Sequence, residues 1–193
     1  MTDFRSGKSV GARIRGARKR LGLRVNELAD ATGVSSAVIE NIEGGRKPDL
    51  SISEVLNLSM ALRVPPIFLL APLGSSGQAL DLPNLIDDFA SMTALEFDSW
   101  LAGSPNGAYR PLSVTERSDR YELQTLRELE IDRNELRRLM VQIAQERAAM
   151  PASDEARDLM STTLSRISEA EQRIARLEAV LRSAGWSIGT PSD

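Results

Sequence analysis

Residues 33–48 read GVSSAVIENIEGGRKP, and their pattern decides the fold. Ile39 and Ile42 stand three apart, which puts both on one face of a helix. Ser36, Ala37, Val38, Glu40 and Asn41 make up the rest of its surface. Ser35 suits the capping position ahead of the helix, and Gly44-Gly45 ends it. Arg46 and Lys47 follow at the exit. A short helix with an aliphatic back, a small and polar front and two cations at its end is one anchored from behind and offered outward.

The flanking segments supply the anchor. Upstream, Ser9 can cap a helix carrying Val10, Ile14, Ala17 and Leu21 at helical spacing, and Gly22 stands where a left-handed terminating residue is wanted. A second helix spans about 25–32, with Leu28 and Ala29 inward and Gly33 at its end. Downstream, Ser51 and Glu54 form an S-x-x-E capping box ahead of a fourth helix with Val55, Leu56, Leu58, Met60 and Leu62. Pro65-Pro66 breaks that helix and starts a short fifth one over 67–70.

A second helix that ends in Gly33-Val34-Ser35, where the third begins, makes a helix-turn-helix, whose third helix can enter a DNA major groove. The run ARIRGARKRLGLRVNELADATGVSSAVIENIEGGRKP resembles the Xre/Cro-like phage-repressor family of helix-turn-helix regulators. One register holds Leu28-Ala29, Gly33-Val34-Ser35, Ile39, Ile42 and Glu43-Gly44-Gly45, and the likeness covers about a third of the chain, from about Val10 to Leu70. It implies an all-α chain that opens with a five-helix lambda-repressor-like domain over residues 1–73, binding double-stranded DNA. By the same likeness Ser36 and Ala37 meet bases, with Glu40 and Asn41 a turn further on. Asn can pair with adenine, Glu can accept from a cytosine amino group, and Ala37 or Val38 can touch a thymine methyl.

Arg46 and Lys47 fall where that family grips phosphate, and Arg24 and Asn26 sit at the amino end of the second helix, where backbone donors favour anions. Val25 and Ser35 complete the expected DNA-facing set. The family usually has Ser then Gln where this chain has Arg24 then Val25, and the loop after Pro48 is longer than the common form. Arg18 matches a family arginine that pairs with Glu43, which implies an ion pair joining the first and third helices.

Beyond this domain the pattern changes twice. Residues 74–113 form a linker and small packing segment, in which GSSGQ is linker-like and LDLPNLIDDFASM reads as a strand, a helix begun at Pro83, or an irregular apron. Thr93 and Glu96 make a second capping box, and Phe89, Phe97 and Trp100 suggest a satellite core rather than a ligand site. Residues 114–186 carry two heptad-like seams. The first is Leu126, Leu129, Arg133, Leu136, Met140, Ile143, Arg147 and Met150, and the second Met160, Leu164, Ile167, Ala170, Ile174, Leu177, Leu181 and Ala184. Met150-Pro151-Ala152-Ser153-Asp154 breaks them into a long antiparallel helical hairpin, and residues 187–193 read as a frayed tail. Leu123, Ile131, Leu139 and Val180 lie off the seams as a second apolar stripe, which points to a homodimer formed through the hairpin.

Bulk properties exclude much else. The 193 residues contain no cysteine and no histidine, which removes thiolate nucleophiles, disulfides, zinc-thiolate sites and the commonest general base. No EF-hand or phosphate-loop spacing occurs, so no metal, cofactor or small-molecule site and no enzyme activity is expected. Lys8, Lys19 and Lys47 are the only lysines, and all precede the second half, which therefore has no Ser-Lys peptidase dyad. The segment from Val64 to Leu73 is about half of the ~20 apolar residues a membrane span needs, and residues 1–9 have no apolar signal region. A cytoplasmic protein is expected.

The net charge of −3 divides unevenly, with 11 Lys/Arg against 7 Asp/Glu in residues 1–75 and 13 against 20 in the remainder. The amino-terminal end therefore suits a polyanion. These features predict a sequence-specific transcriptional regulator, read as a repressor. The Arg-over-Lys preference and the VPPIFLL segment are similar to regulators of actinobacteria and their phages, which implies a phage or prophage immunity repressor. Two alternatives stay open: an antitoxin whose acidic half binds a toxin, and a coiled-coil adaptor that binds DNA weakly.

Overall fold

A computed structural model describes residues 9–75, 77–149 and 154–189. Residues 1–8, the break at 150–153, the tail from 190 onward and Ser76 of the linker lie outside the described residues, and with them Lys8 and Met150. Among the described residues the fold is all-α, with one isolated antiparallel bridge between Ala79 and Thr93. The chain divides into two compact units. The first holds the described residues up to Ala102 and also Asn106–Arg110; the second holds Gly103–Pro105 and the described residues from Pro111 onward.

Five helices open the first unit: α1 (Val10–Arg20), α2 (Val25–Thr32), α3 (Ser36–Glu43), α4 (Ile52–Leu62) and α5 (Ile67–Leu70). Their ends are set by local chemistry. The Ser9 hydroxyl accepts from the Ala12 N–H at 3.2 Å, and Ser51 and Glu54 cap each other's backbone at the start of α4. Gly33 closes α2 with a left-handed backbone at φ 69°, a conformation that lets the chain turn directly into α3. The core is aliphatic: Val10, Ile14 and Ala17 from α1, Leu28 from α2, Ile39 and Ile42 from α3, Leu58 and Leu62 from α4, and Leu69 from α5. Leu21, expected on the α1 stripe, is exposed, because α1 ends at Arg20 and the turn through Gly22 carries Leu21 out of the helical face. Of the apolar residues of α4, only Leu58 and Leu62 are buried.

The chain after α5 folds back on this unit. Helices α6 (Asp87–Ala90) and α7 (Ala94–Leu101) build a small core in which Phe89 meets Phe97 and Trp100 edge to face at 6.2 and 4.9 Å. The fold-back is tied down by Arg13, whose side chain is fully buried. Its guanidinium donates to both Asp81 oxygens at 2.7 Å, to the Leu69 carbonyl at 2.7 Å and to the Leu70 carbonyl at 3.2 Å. A charge so placed is tolerated because each face of the fork has an acceptor.

The second unit is the hairpin of α8 (Val114–Ala149) and α9 (Asp154–Ser183). Its antiparallel sense follows from pairs whose numbers run in opposite directions, Glu122 with Trp186, Arg133 with Glu178, and Glu146 with Thr163. Four seam positions differ from the heptad reading, for Arg147 and Ala184 are exposed, as are Met140 and Leu164. Met140 is 57% exposed while Leu139 is 3% exposed, and Leu164 is exposed while Thr163 is buried. Heptad positions drift by about 20° per repeat on a straight helix, so the buried face of α8 has rotated past Met140 by the third turn after Leu129. In α9 the sequence Met160, Thr163, Ile167, Ala170, Ile174, Leu177, Leu181 keeps strict three-four alternation, which Leu164 breaks. Thr163 can be buried because its hydroxyl donates to the Leu159 carbonyl at 3.2 Å and to Glu146 at 3.3 Å. Arg133 occupies the seam by bridging Glu130 and Glu178, both at 2.9 Å.

Asp81→Ala strands the Arg13 guanidinium without its carboxylate, so urea unfolding of the variant is expected to show a loss of about 3–5 kcal/mol.

Candidate nucleic-acid interface

The third helix is held from behind by three contacts. Ile39 and Ile42 are buried in the core between α1, α2 and α4. Arg18 and Glu43 form a bidentate pair, Nε to Oε1 and Nη2 to Oε2, each at 2.7 Å, and Arg18 also donates to the Leu23 carbonyl at 2.7 Å. The bonds to Glu43 hold the Arg18 guanidinium above its ordinary pKa, outweighing the opposing effect of burial. Gly11 supplies the third contact: a Cβ at this position would overlap the Ile42 carbonyl, so α1 lies against the carboxyl end of α3 with no side chain between. Arg18 and Gly11 both come from α1, which joins α2 and the core in fixing the tilt of α3.

What remains outward is a small front. Ala37 and Glu40 are exposed, and Ser36 and Asn41 are half-buried at its margins. Val38 is half-buried as well, lying about 40° around the helix from Ile42 and packing partly against the core. Ser35 caps α3, its hydroxyl accepting from the Val38 N–H at 3.4 Å. At the other end of α3, Arg46 is exposed and its Nε donates to Asn41 Oδ1 at 2.7 Å, so the two side chains form one unit at the helix exit. Lys47 instead reaches Glu54 at 2.7 Å. That bond, followed by the Ser51 N–H, holds the Glu54 carboxyl below its usual range against the desolvation that would raise it.

The amino end of α2 is built differently from the common form. Arg24 occupies the cap position and has no side-chain oxygen to offer. Glu27 takes over, accepting from the Arg24 N–H at 2.7 Å and from its guanidinium at 2.8 Å, and these bonds depress the Glu27 pKa, the backbone contribution first. Arg24 and Asn26 are exposed there, and Val25 packs partly against the core. Exposed Arg15 and Lys19 on α1 add cationic charge that the residue-by-residue reading did not assign. Their signal was present: they fall off the Val10, Ile14, Ala17 stripe, while Arg13 and Arg18 fall on it.

The geometry is that of a helix-turn-helix module: a helix closed by a left-handed glycine, a tight turn, and a following helix whose back is buried and whose front is open. Residues 9–67 match a protein-family model described as a helix-turn-helix domain, and this part of the chain is one. Such modules serve DNA-binding regulators. Neither the curated proteins nor the solved structures returned a match. Among the described residues no group of His, Cys, Asp or Glu could hold a metal ion, and no helix is long and apolar enough to cross a membrane.

Gly11→Ala forces α1 and α3 apart; thermal unfolding is expected to show about 1–3 kcal/mol of destabilisation from overpacking, and near-ultraviolet or NMR signals of the α3 region are expected to shift. A second expectation concerns acid. Because the folded pKa of Glu54 lies below the unfolded one, its contribution is whole above the ordinary glutamate value of about 4.3 and disappears as pH falls through the lower folded value. The stability gap between the native chain and Glu54→Gln, followed by denaturation across a pH series, is therefore expected to be widest near neutrality and to close below that value.

Proposed function

We propose that the protein is a sequence-specific DNA-binding repressor that places α3 in the major groove of an operator and binds as a homodimer joined by its C-terminal hairpin. The observation that carries this reading is the divided surface of α3, with Ile39 and Ile42 fully buried and Ala37 and Glu40 open. Glu40 can accept from a cytosine amino group, Ala37 can meet a thymine methyl, and Asn41 has an amide nitrogen to donate to a base edge. Arg24, Asn26 and Arg46 flank this front and suit the phosphates on either side, with Ser36 and Lys47 close enough to join them. A dimer would set two recognition helices about 34 Å apart on successive faces of the duplex.

The hairpin suits the joining role because two helices alone bury little. Ile131, Met140, Val141, Leu164 and Val180 are all left exposed on it. Repression follows from occupancy, since a bound dimer blocks transcription from an overlapping promoter without further chemistry. The likeness to phage-type regulators supports placing it among immunity repressors of the cytoplasm.

Fluorescence anisotropy against the DNA upstream of its own gene, over a salt series, tests this. Specific complexes that weaken as salt rises are expected. Arg46→Ala is expected to lower affinity on all sequences and reduce the salt slope by about 1, while Glu40→Ala relaxes preference at one base pair by about 1–3 kcal/mol. Binding without sequence preference, or none at low salt, would overturn the reading.

A further inference from the structure

Helix α4 presents an apolar ridge that neither the core nor the proposed DNA contact uses. Ile52, Leu56 and Met60 are 81%, 52% and 81% exposed. They recur at every fourth residue and so line up along one inclined row, while Leu58 and Leu62 face the core. Ile131, Met140 and Val141 of α8 form no such row, since they fall at widely separated helical angles. The ridge also has charged ends of opposite sign. Asp49 is exposed ahead of its amino end, where it accepts a hydrogen bond from Asn84 at 2.8 Å. Arg63 is exposed just past the carboxyl end, and forms no ion pair among the described residues.

We propose that this ridge is a self-association surface, occupied by α4 of a second copy lying antiparallel across a two-fold axis at Leu56. Two features select that occupant. Rows of every-fourth residues pack into the grooves of an identical row, and an isologous contact requires a patch complementary to itself. Antiparallel pairing about Leu56 sets Ile52 against the second copy's Met60, and it brings each Arg63 toward the other copy's Asp49. The opposed helix dipoles favour the same arrangement. Three side chains per copy make a patch well under the ~800 Å² per partner of a standard interface. The contact is therefore weak by itself and acts between copies that are already neighbours, which goes beyond the hairpin-mediated dimer proposed above.

Because the chain has no cysteine, single thiols can report the register. In the full-length protein without DNA, mild oxidation of Leu56→Cys is expected to give a disulfide-linked dimer. Ile52→Cys alone and Met60→Cys alone are expected to give several-fold less, since like positions are about 12 Å apart along the axis, beyond disulfide reach. A mixture of the two, in chains of different length, is expected to give the mixed dimer. Arg63→Asp should weaken cross-linking of Leu56→Cys, and adding Asp49→Arg should restore it. Equal cross-linking of all three single variants, or none by Leu56→Cys, would overturn the proposal, and failure of the double charge reversal would overturn its antiparallel register. No DNA is present, so the outcome does not depend on the DNA-binding reading.

Discussion

The Arg18–Glu43 pair and the bare contact between Gly11 and the end of α3 are the constraint on which the first unit depends. A helix of eight residues such as α3 is too short to hold itself in water, so its direction has to come from tertiary contacts. The two isoleucines, both on one face, resist its removal from the core. A bidentate ion pair adds direction, because a planar fork accepts a carboxylate in few orientations. The missing side chain at Gly11 adds depth by setting how closely the two backbones approach.

Cationic charge in the first unit divides into two populations with different work. Arg13 and Arg18 lie on the apolar stripe of α1 and are consumed internally, by Asp81 and two carbonyls in one case and by Glu43 in the other. Arg15 and Lys19 lie off that stripe and reach water, as do Arg24 and Arg46 outside α1. A count of basic residues therefore overstates the field available to a polyanion. The helical angle of each cation relative to Val10, Ile14 and Ala17 is the better guide.

The helix boundaries of the first unit could be read because short polar residues and glycines mark them: Ser9, Gly22, Gly33, Ser35, Ser51 with Glu54, and Pro65-Pro66. The aromatic cluster of Phe89, Phe97 and Trp100 was legible because three aromatics fall close together in a chain with few of them. Contacts that join distant residues were not. Nothing near Arg13 indicates a carboxylate 68 positions later, and nothing near Gly11 indicates that its neighbour is a main-chain carbonyl. In the hairpin the apolar residues at 139, 140 and 164 left the seam underdetermined. Burial followed the rotation of the contact line, which placed a threonine inside because its hydroxyl could be satisfied locally. The front of α3 could be listed but not ordered, since the sequence does not show that Val38 also packs partly against the core.

The Arg13–Asp81 latch has a consequence for where this module can be cut. Its closing carboxylate lies fourteen residues beyond the end of the family match at residue 67. The chain has thus recruited sequence outside the shared domain to complete a cation inside it. Anyone grafting this module onto a foreign carboxyl-terminal half must carry the transplant through Asp81, or replace Arg13 by an aliphatic residue so that no orphaned guanidinium remains at the splice.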